Sequence, residues 1–95
     1  MTAAGEALRE SFVIENRLGL HARAAALFVQ TVAALEADVF VAKDGETVNG
    51  KSIMGLMMLA AGMGSTIQVE VRGREAAEAM NAIRVLIKNK FREGE

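Results

Sequence analysis

Alternation of apolar and polar residues predicts four β-strands in this chain of 95 residues. The alternation is clearest in D-V-F-V-A-K and T-I-Q-V-E-V-R, where valine and isoleucine recur at every second position and would face one side of a sheet. Asp44 and Gly45 form a strong signal for a two-residue hairpin between the second and third strands. The predicted strands cover residues 11–15, 38–43, 46–49 and 65–72.

Apolar residues spaced three and four positions apart predict three helices, over residues 22–35, 52 to about 61, and 74 to about 90. The second helix is short and apolar nearly all round, and we expect the glycines at positions 62 and 64 to end it. The core-facing residues are Ala25, Phe28, Val29 and Val32 in the first helix and Ala76, Met80, Ile83 and Ile87 in the third.

The element order β-α-β-β-α-β-α predicts an α+β fold. We expect an open-faced sandwich, in which a four-stranded antiparallel sheet carries three helices on one face. A chain of this length supports one hydrophobic core. Residues 1–95 are therefore predicted to form a single domain, with residues 1–10 as a flexible N-terminal extension.

Composition narrows the functional class. The chain is 52% hydrophobic and 24% charged with a net charge of −1, which is typical of a globular protein without a basic surface for nucleic acid. It has no cysteine and one histidine, so we expect neither disulfides nor a metal site. The longest apolar run, residues 53–63, is too short to cross a bilayer, and residues 1–11 lack the apolar core of a signal peptide. We expect a cytoplasmic protein without membrane association or cofactor.

The stretch G-E-T-V-N-G-K-S over residues 45–52 matches the nucleotide-binding pattern G-x-x-x-x-G-K-[ST]. The predicted fold does not suit that function, because Asp44 and Gly45 form a turn and residues 46–49 pair in a hairpin ladder. Nucleotide-binding proteins of this type also need a parallel sheet with several crossover helices, which 95 residues cannot supply. We interpret the match as a coincidence and assign Ser52 as the N-cap of the second helix.

The single histidine, His21, lies immediately before the first helix in the sequence G-L-H-A-R. Free N–H groups at a helix start favour an anion and disfavour a protonated ring, by about 0.3–1 kcal/mol at exposed sites. If the neutral ring accepted a phosphoryl group, the backbone N–H groups of Ala22 and Arg23 and the Arg23 guanidinium could bind the phosphate oxygens. A surface histidine that only begins a helix fits the same pattern, and no catalytic triad accompanies it.

An apolar surface is predicted beside His21. Leu27 lies opposite the core face of the first helix, so we expect an exposed apolar residue one turn beyond His21. The second helix can bury only one side against a sheet, so some of its Ile and Met residues must stay exposed while others fill the core. Exposed methionine surfaces adapt to several partners, which predicts a protein-docking site.

Three motifs together resemble the HPr family, the histidine-containing phosphocarriers of the bacterial phosphoenolpyruvate:sugar phosphotransferase system. They are L-G-L-H-A-R over residues 18–23, T-V-N over residues 47–49, and K-S-I-M-G-L-M over residues 51–57. The similarity covers residues 12–90 and includes the element order. Separate motifs at the expected distance make this resemblance far more specific than the nucleotide-binding pattern.

The resemblance implies a phosphoryl carrier rather than an enzyme. His21 would receive a phosphoryl group on Nδ1 from enzyme I, assisted by Arg23, and pass it to EIIA domains of sugar transporters. Ser52 would be the regulatory site of an HPr kinase/phosphorylase that acts in many bacteria, with a transcriptional regulator as a further partner. The implied docking residues are Leu27, Ile53, Met54 and Met57. A carrier must expose its histidine to successive partners, which favours a monomer.

One position departs from the family pattern. Most HPr sequences have proline after the arginine, whereas this chain has Ala24, which restores a backbone N–H near His21 and removes some rigidity. Two alternatives within the resemblance stay open: a carrier of the nitrogen-related branch, and a regulatory HPr-like protein that binds a transcription factor or an enzyme and never carries phosphate. Such regulatory paralogues usually lack the histidine, so His21 argues against the second. A nucleotide-binding enzyme ranks last.

Overall fold

The computed structural model describes residues 7–93, which form four strands and three helices in the predicted order. The strands are β1 (Ala7–Val13), β2 (Asp38–Lys43), β3 (Glu46–Asn49) and β4 (Thr66–Arg72). The helices are α1 (Ala22–Val32), α2 (Ile53–Met58) and α3 (Ala76–Lys88), and a 3₁₀ turn over Lys90–Arg92 follows α3.

The four strands form one antiparallel sheet in the order β1-β4-β2-β3. Val39 and Val41 of β2 are buried under the helices, whereas Phe40 between them is exposed on the open side of the sheet. Helix α3 packs on β1 and β4, and α1 packs against both α2 and α3. The predicted open-faced sandwich is confirmed. No helix within residues 7–93 has the length and apolar character needed to cross a membrane.

The core lies between the sheet and the helices and contains the residues that the helical spacing predicts. Ala25, Phe28 and Val32 of α1 are buried, and Val29 is half-buried against them. The four predicted core residues of α3 are all buried. Each large aliphatic or aromatic side chain removed from water contributes about 1.5–3 kcal/mol, so this shared core is what holds the helices on the sheet.

The hairpin between β2 and β3 forms as predicted. Asp44 and Gly45 both have positive φ, at 51° and 83°, as a two-residue turn of the type favoured by right-handed strand twist requires. Residues 46–49 pair with residues 40–43. The central part of the apparent nucleotide-binding motif, residues 46–49, is therefore engaged in a strand ladder.

Strand β1 begins earlier than predicted. The prediction placed the strand at residues 11–15 and a flexible extension at residues 1–10, but residues 7–10 pair with β4 in register, from Ala7 opposite Arg72 onward. The polar residues Arg9 and Glu10 have partners that are distant in sequence: Arg9 binds Glu70, and Glu10 binds Arg84. The prediction of a flexible extension is therefore wrong for residues 7–10, and residues 1–6 lie outside the described part of the chain.

The helices end before their predicted limits. Helix α2 ends at Met58 rather than near residue 61, because the N–H groups of Leu59 and Ala60 bond three residues back instead of four and Ala60 then adopts a positive φ of 51°. The next carbonyl, of Ala61, accepts a hydrogen bond from the N–H of Leu20 at 2.9 Å. The segment after α2 thus leaves the helix to pair with the loop that precedes α1.

Candidate functional site

His21 is the N-cap residue of α1, with an extended backbone at φ −75° and ψ 179°. Its carbonyl accepts the first helical hydrogen bond, from Ala25 at 2.8 Å, so the N–H groups of Ala22, Arg23 and Ala24 have no acceptor within the helix. The imidazole makes no capping hydrogen bond, and the side chain is 28% exposed. The ring is therefore accessible at the positive end of the helix.

The loop before His21 is fixed by buried contacts. Asn16 is fully buried, and its Nδ2 donates to the carbonyl of Gly19 at 2.8 Å. Gly19 has a φ of 68°, and a Cβ added there would overlap the carbonyl oxygen of Ala61. Leu20 is buried in the core immediately before the histidine. These contacts hold the backbone at His21 in one position.

A carboxylate that the sequence analysis did not anticipate lies against the histidine. Glu93 Oε2 lies 3.1 Å from His21 Nε2 and accepts a hydrogen bond from Asn16 Nδ2 at 2.5 Å. The Glu93 side chain is 9% exposed. The pKa of Glu93 is lowered, mainly by the Asn16 hydrogen bond and further by His21 and the backbone N–H of Leu18, against the opposing effect of burial. The carboxylate is therefore ionised at neutral pH.

No local pattern could have indicated Glu93, because 72 residues separate it from His21 in sequence. The signal closest to it is Phe91, an aromatic residue after the predicted end of the last helix. Phe91 is buried, and the 3₁₀ turn around it brings the chain back toward α1.

His21 and Arg23 line the same shallow pocket, of about 150 Å³, together with Leu18, Phe91 and Glu93. Arg23 is exposed, and its guanidinium makes no hydrogen bond or ion pair within residues 7–93. An exposed cation without a partner is available to an anionic group that enters the pocket. Residues 7–93 contain no cluster of three or more histidine, aspartate or glutamate side chains that could hold a metal ion.

Ser52 is the N-cap of α2, as predicted. Its Oγ accepts a hydrogen bond from the N–H of Gly55 at 2.9 Å, and its backbone is extended, with φ −116° and ψ 116°. The side chain is half-buried. The hydroxyl therefore has a defined structural role at the start of α2.

The α2 patch, which we define as Ile53, Met54 and Met57, is exposed, and Met54 is exposed most, at 72%. Leu56 and Leu59 on the opposite side of α2 are buried, so the helix divides as the sequence analysis expected. Met58 and Met63, which were not among the predicted docking residues, are also exposed.

The prediction that Leu27 is exposed is wrong. Leu27 is half-buried and packs against the core cluster. Helix α1 contacts both α2 and α3, so more than one stripe of its surface is covered. Of the four predicted docking residues, those of the α2 patch are therefore exposed, and Leu27 is only partly so.

Comparison with known proteins reveals close similarities along almost the whole chain. A protein-family model described as "PTS HPr component phosphorylation site" matches residues 8–89. Phosphocarrier protein HPr of Neisseria meningitidis serogroup A is 52% identical over 88 residues, which are 93% of this chain and 99% of the relative. Phosphocarrier protein HPr of Cupriavidus necator is 48% identical over 88 residues, with 93% and 99% coverage. A crystal structure of HPr from Thermoanaerobacter tengcongensis has a TM-score of 0.87 and 42% identity, and the alignment covers 90% of this chain and 97% of that one.

Proposed function

The chain belongs to the HPr family of phosphocarrier proteins, and we propose that His21 is the residue that carries its phosphoryl group. In this proposal His21 receives the group from enzyme I and passes it to EIIA domains of sugar transporters. The observation that carries the proposal is the accessible ring of His21, which lies at the start of α1 without capping it, beside an Arg23 guanidinium that has no partner among residues 7–93.

The start of α1 suits a transient phosphohistidine for two physical reasons. The N–H groups of Ala22 and Arg23 precede the first helical bond, so they can donate to phosphate oxygens, and the helix dipole favours negative charge there. The pocket is shallow and the ring stays in contact with solvent, so the charged group is not buried and the next acceptor protein can reach it. Arg23 supplies a positive charge during both transfers.

We propose Ser52 as a regulatory phosphorylation site for an HPr kinase/phosphorylase. A phosphate there would bring a charge of about −1.5 to −2 to the start of α2, where the helix dipole tolerates it. The fold would persist, but the charge would stand next to Ile53 and Met54 of the α2 patch. A partner that docks on this patch with an apolar or acidic surface would then bind more weakly, whereas a transcriptional regulator with a basic surface would bind better.

The α2 patch is the proposed docking surface for enzyme I and EIIA domains. Its exposed Ile and Met side chains offer an adaptable apolar contact, and α2 packs beside α1, the helix that His21 begins. Successive partners must reach the same histidine, so we propose that the protein acts as a monomer, in the cytoplasm where phosphoenolpyruvate is made.

The test is phosphorylation with phosphoenolpyruvate, Mg²⁺ and the organism's own enzyme I, with acid-labile phosphate as the readout. Wild type and Ser52→Ala should both be labelled, and His21→Ala should not. Absence of label on the wild type, with an enzyme I that labels another HPr, would refute the carrier function. It would leave a regulatory binding protein as the function to test next.

A further inference from the structure

The C-terminal segment departs from ordinary backbone geometry to reach the histidine. Lys90, Phe91 and Arg92 have φ values of 54°, 53° and 60°, a left-handed conformation that is energetically costly for residues with a side chain. Burial of Phe91 offsets part of this cost. The turn also places Glu93 against His21. Strained backbone is often found at functional sites, where it contributes to the mechanism. The family match ends at residue 89, before this turn.

The orientation of the Asn16 amide is determined by the two hydrogen bonds that it donates. Asn16 contacts two acceptors, the carbonyl of Gly19 and the carboxylate of Glu93, so its NH₂ group must point toward them. The amide holds Glu93 in place from a fully buried position. Because Asn16 cannot rotate without losing both bonds, the carboxylate is fixed relative to α1.

An ionised carboxylate accepts hydrogen bonds and donates none. Glu93 Oε2, at 3.1 Å from His21 Nε2, therefore requires the proton of the neutral ring to be on Nε2. The other ring nitrogen, Nδ1, then keeps its lone pair. The partner of one imidazole nitrogen decides in this way which nitrogen is free to react.

We propose that Glu93, held by Asn16, is a positioning residue that keeps the proton on Nε2 of His21 throughout the phosphoryl transfer cycle. This inference rests on the proposed function. The Nδ1 lone pair attacks phosphorus, the N–P bond forms, and the bond to the donor's leaving atom breaks with its electron pair remaining on the donor. The ring becomes a phosphorylated imidazolium whose positive charge lies next to the Glu93 carboxylate.

The reverse step uses the same arrangement. When the next acceptor attacks the phosphorus, the electron pair of the N–P bond returns to Nδ1, and the ring is again neutral with its proton on Nε2. Neither transfer then requires a proton to move. Glu93 also keeps the phosphorylated ring protonated on Nε2, so the group that departs from phosphorus is a neutral imidazole rather than an imidazolate, which is the poorer leaving group.

The direct test is the ¹⁵N spectrum of the His21 ring, which distinguishes protonation at Nε2 from protonation at Nδ1. The unphosphorylated wild type should have the proton on Nε2 near neutral pH. Glu93→Ala removes the acceptor and should give a mixture of tautomers, and Glu93→Gln, which keeps the size but not the charge, should give an intermediate result. Glu46→Gln, the same chemical change at an exposed position of β3, is the matched control and should leave the ring signals unchanged.

Phosphorylation by enzyme I supplies the second readout. Loss of the charged hydrogen bond should lower kcat for Glu93→Ala by about tenfold, with KM unchanged because the α2 patch is intact. An unchanged tautomer in Glu93→Ala, or a changed tautomer with the wild-type rate, would overturn the proposal. The tautomer measurement needs no phosphoryl donor. It therefore tests the contact between Glu93 and His21 even if the phosphorylation experiment with enzyme I refutes the carrier function.

Discussion

Substitution of Gly19 by alanine should destabilise the protein through two separable effects. Gly19 has a φ of 68°, in the left-handed region that disfavours side chains. A Cβ there would also meet two backbone groups, since the Cα of Gly62 would lie at 2.8 Å and the carbonyl oxygen of Ala61 closer still. Backbone neighbours cannot rotate away as a side chain can. The segment after α2 or the loop before His21 must therefore shift.

The two effects can be estimated separately. Left-handed backbone costs an alanine about 1–2 kcal/mol. Overpacking costs a further 1–3 kcal/mol, roughly, so the free energy of unfolding should fall by about 2–5 kcal/mol. This is a large share of the roughly 5–15 kcal/mol that a folded domain has in total. Gly45 is the matched control, because it has a φ of 83° but open space around it. Gly45→Ala should cost only the backbone part, about 1–2 kcal/mol.

Urea unfolding of the three proteins measures these differences, with far-UV circular dichroism as the signal because the chain has neither tryptophan nor tyrosine. The shift should also move His21, so Gly19→Ala should accept phosphate from enzyme I more slowly than Gly45→Ala at a temperature where both are folded. A cost for Gly19→Ala no larger than that for Gly45→Ala would refute the reasoning. It would mean that contact between the loop and the segment after α2 does not fix the site.

Three further predictions follow from other parts of the structure. Ser52→Ala should lower the free energy of unfolding by about 0.5–2 kcal/mol, because the N–H of Gly55 loses its capping acceptor. Ser52→Asp should restore the cap. Equal losses of stability in the two variants, measured by thermal denaturation, would contradict this prediction. The lowered pKa of Glu93 stabilises the fold at pH values above the ordinary pKa of 4.5, and this contribution is lost as the pH falls through the lowered pKa. The difference in unfolding free energy between wild type and Glu93→Gln should therefore shrink below about pH 4.5. A difference in urea unfolding that does not depend on pH would contradict this prediction. Met54→Asp should raise KM for enzyme I and change the free energy of unfolding by no more than about 0.5 kcal/mol. Val85→Asp, at an exposed apolar position of α3, is the control and should leave KM unchanged. Equal effects on KM would mean that the α2 patch is not part of the docking surface.

Much of the fold could be predicted because its signals are local. The alternation of apolar and polar residues predicted three of the four strands to within one residue of their observed limits, and Asp44-Gly45 predicted the hairpin. The helical spacing gave the buried faces of α1 and α3. His21 and Ser52 could be placed at helix starts for the same reason, since an N-cap is defined by its own neighbours in sequence.

The features that could not be predicted depend on residues far apart in sequence. Arg9 and Glu10 look like an exposed extension until β4 and α3 provide their partners. Leu27 lies opposite the core stripe of its own helix, and only the packing of α1 on a second helix covers it. Glu93 follows the predicted helices altogether, and a left-handed turn that no sequence rule anticipates carries it to His21.

His21 is proposed to carry a phosphoryl group from one protein to another. The most direct measurement is to isolate the phosphorylated protein, mix it with an EIIA domain from the same organism in the absence of enzyme I and phosphoenolpyruvate, and follow both intact masses over time. We predict that the added mass of one phosphoryl group leaves this protein and appears on the EIIA domain. Loss of the group to water, with the EIIA domain unmodified, would contradict the account.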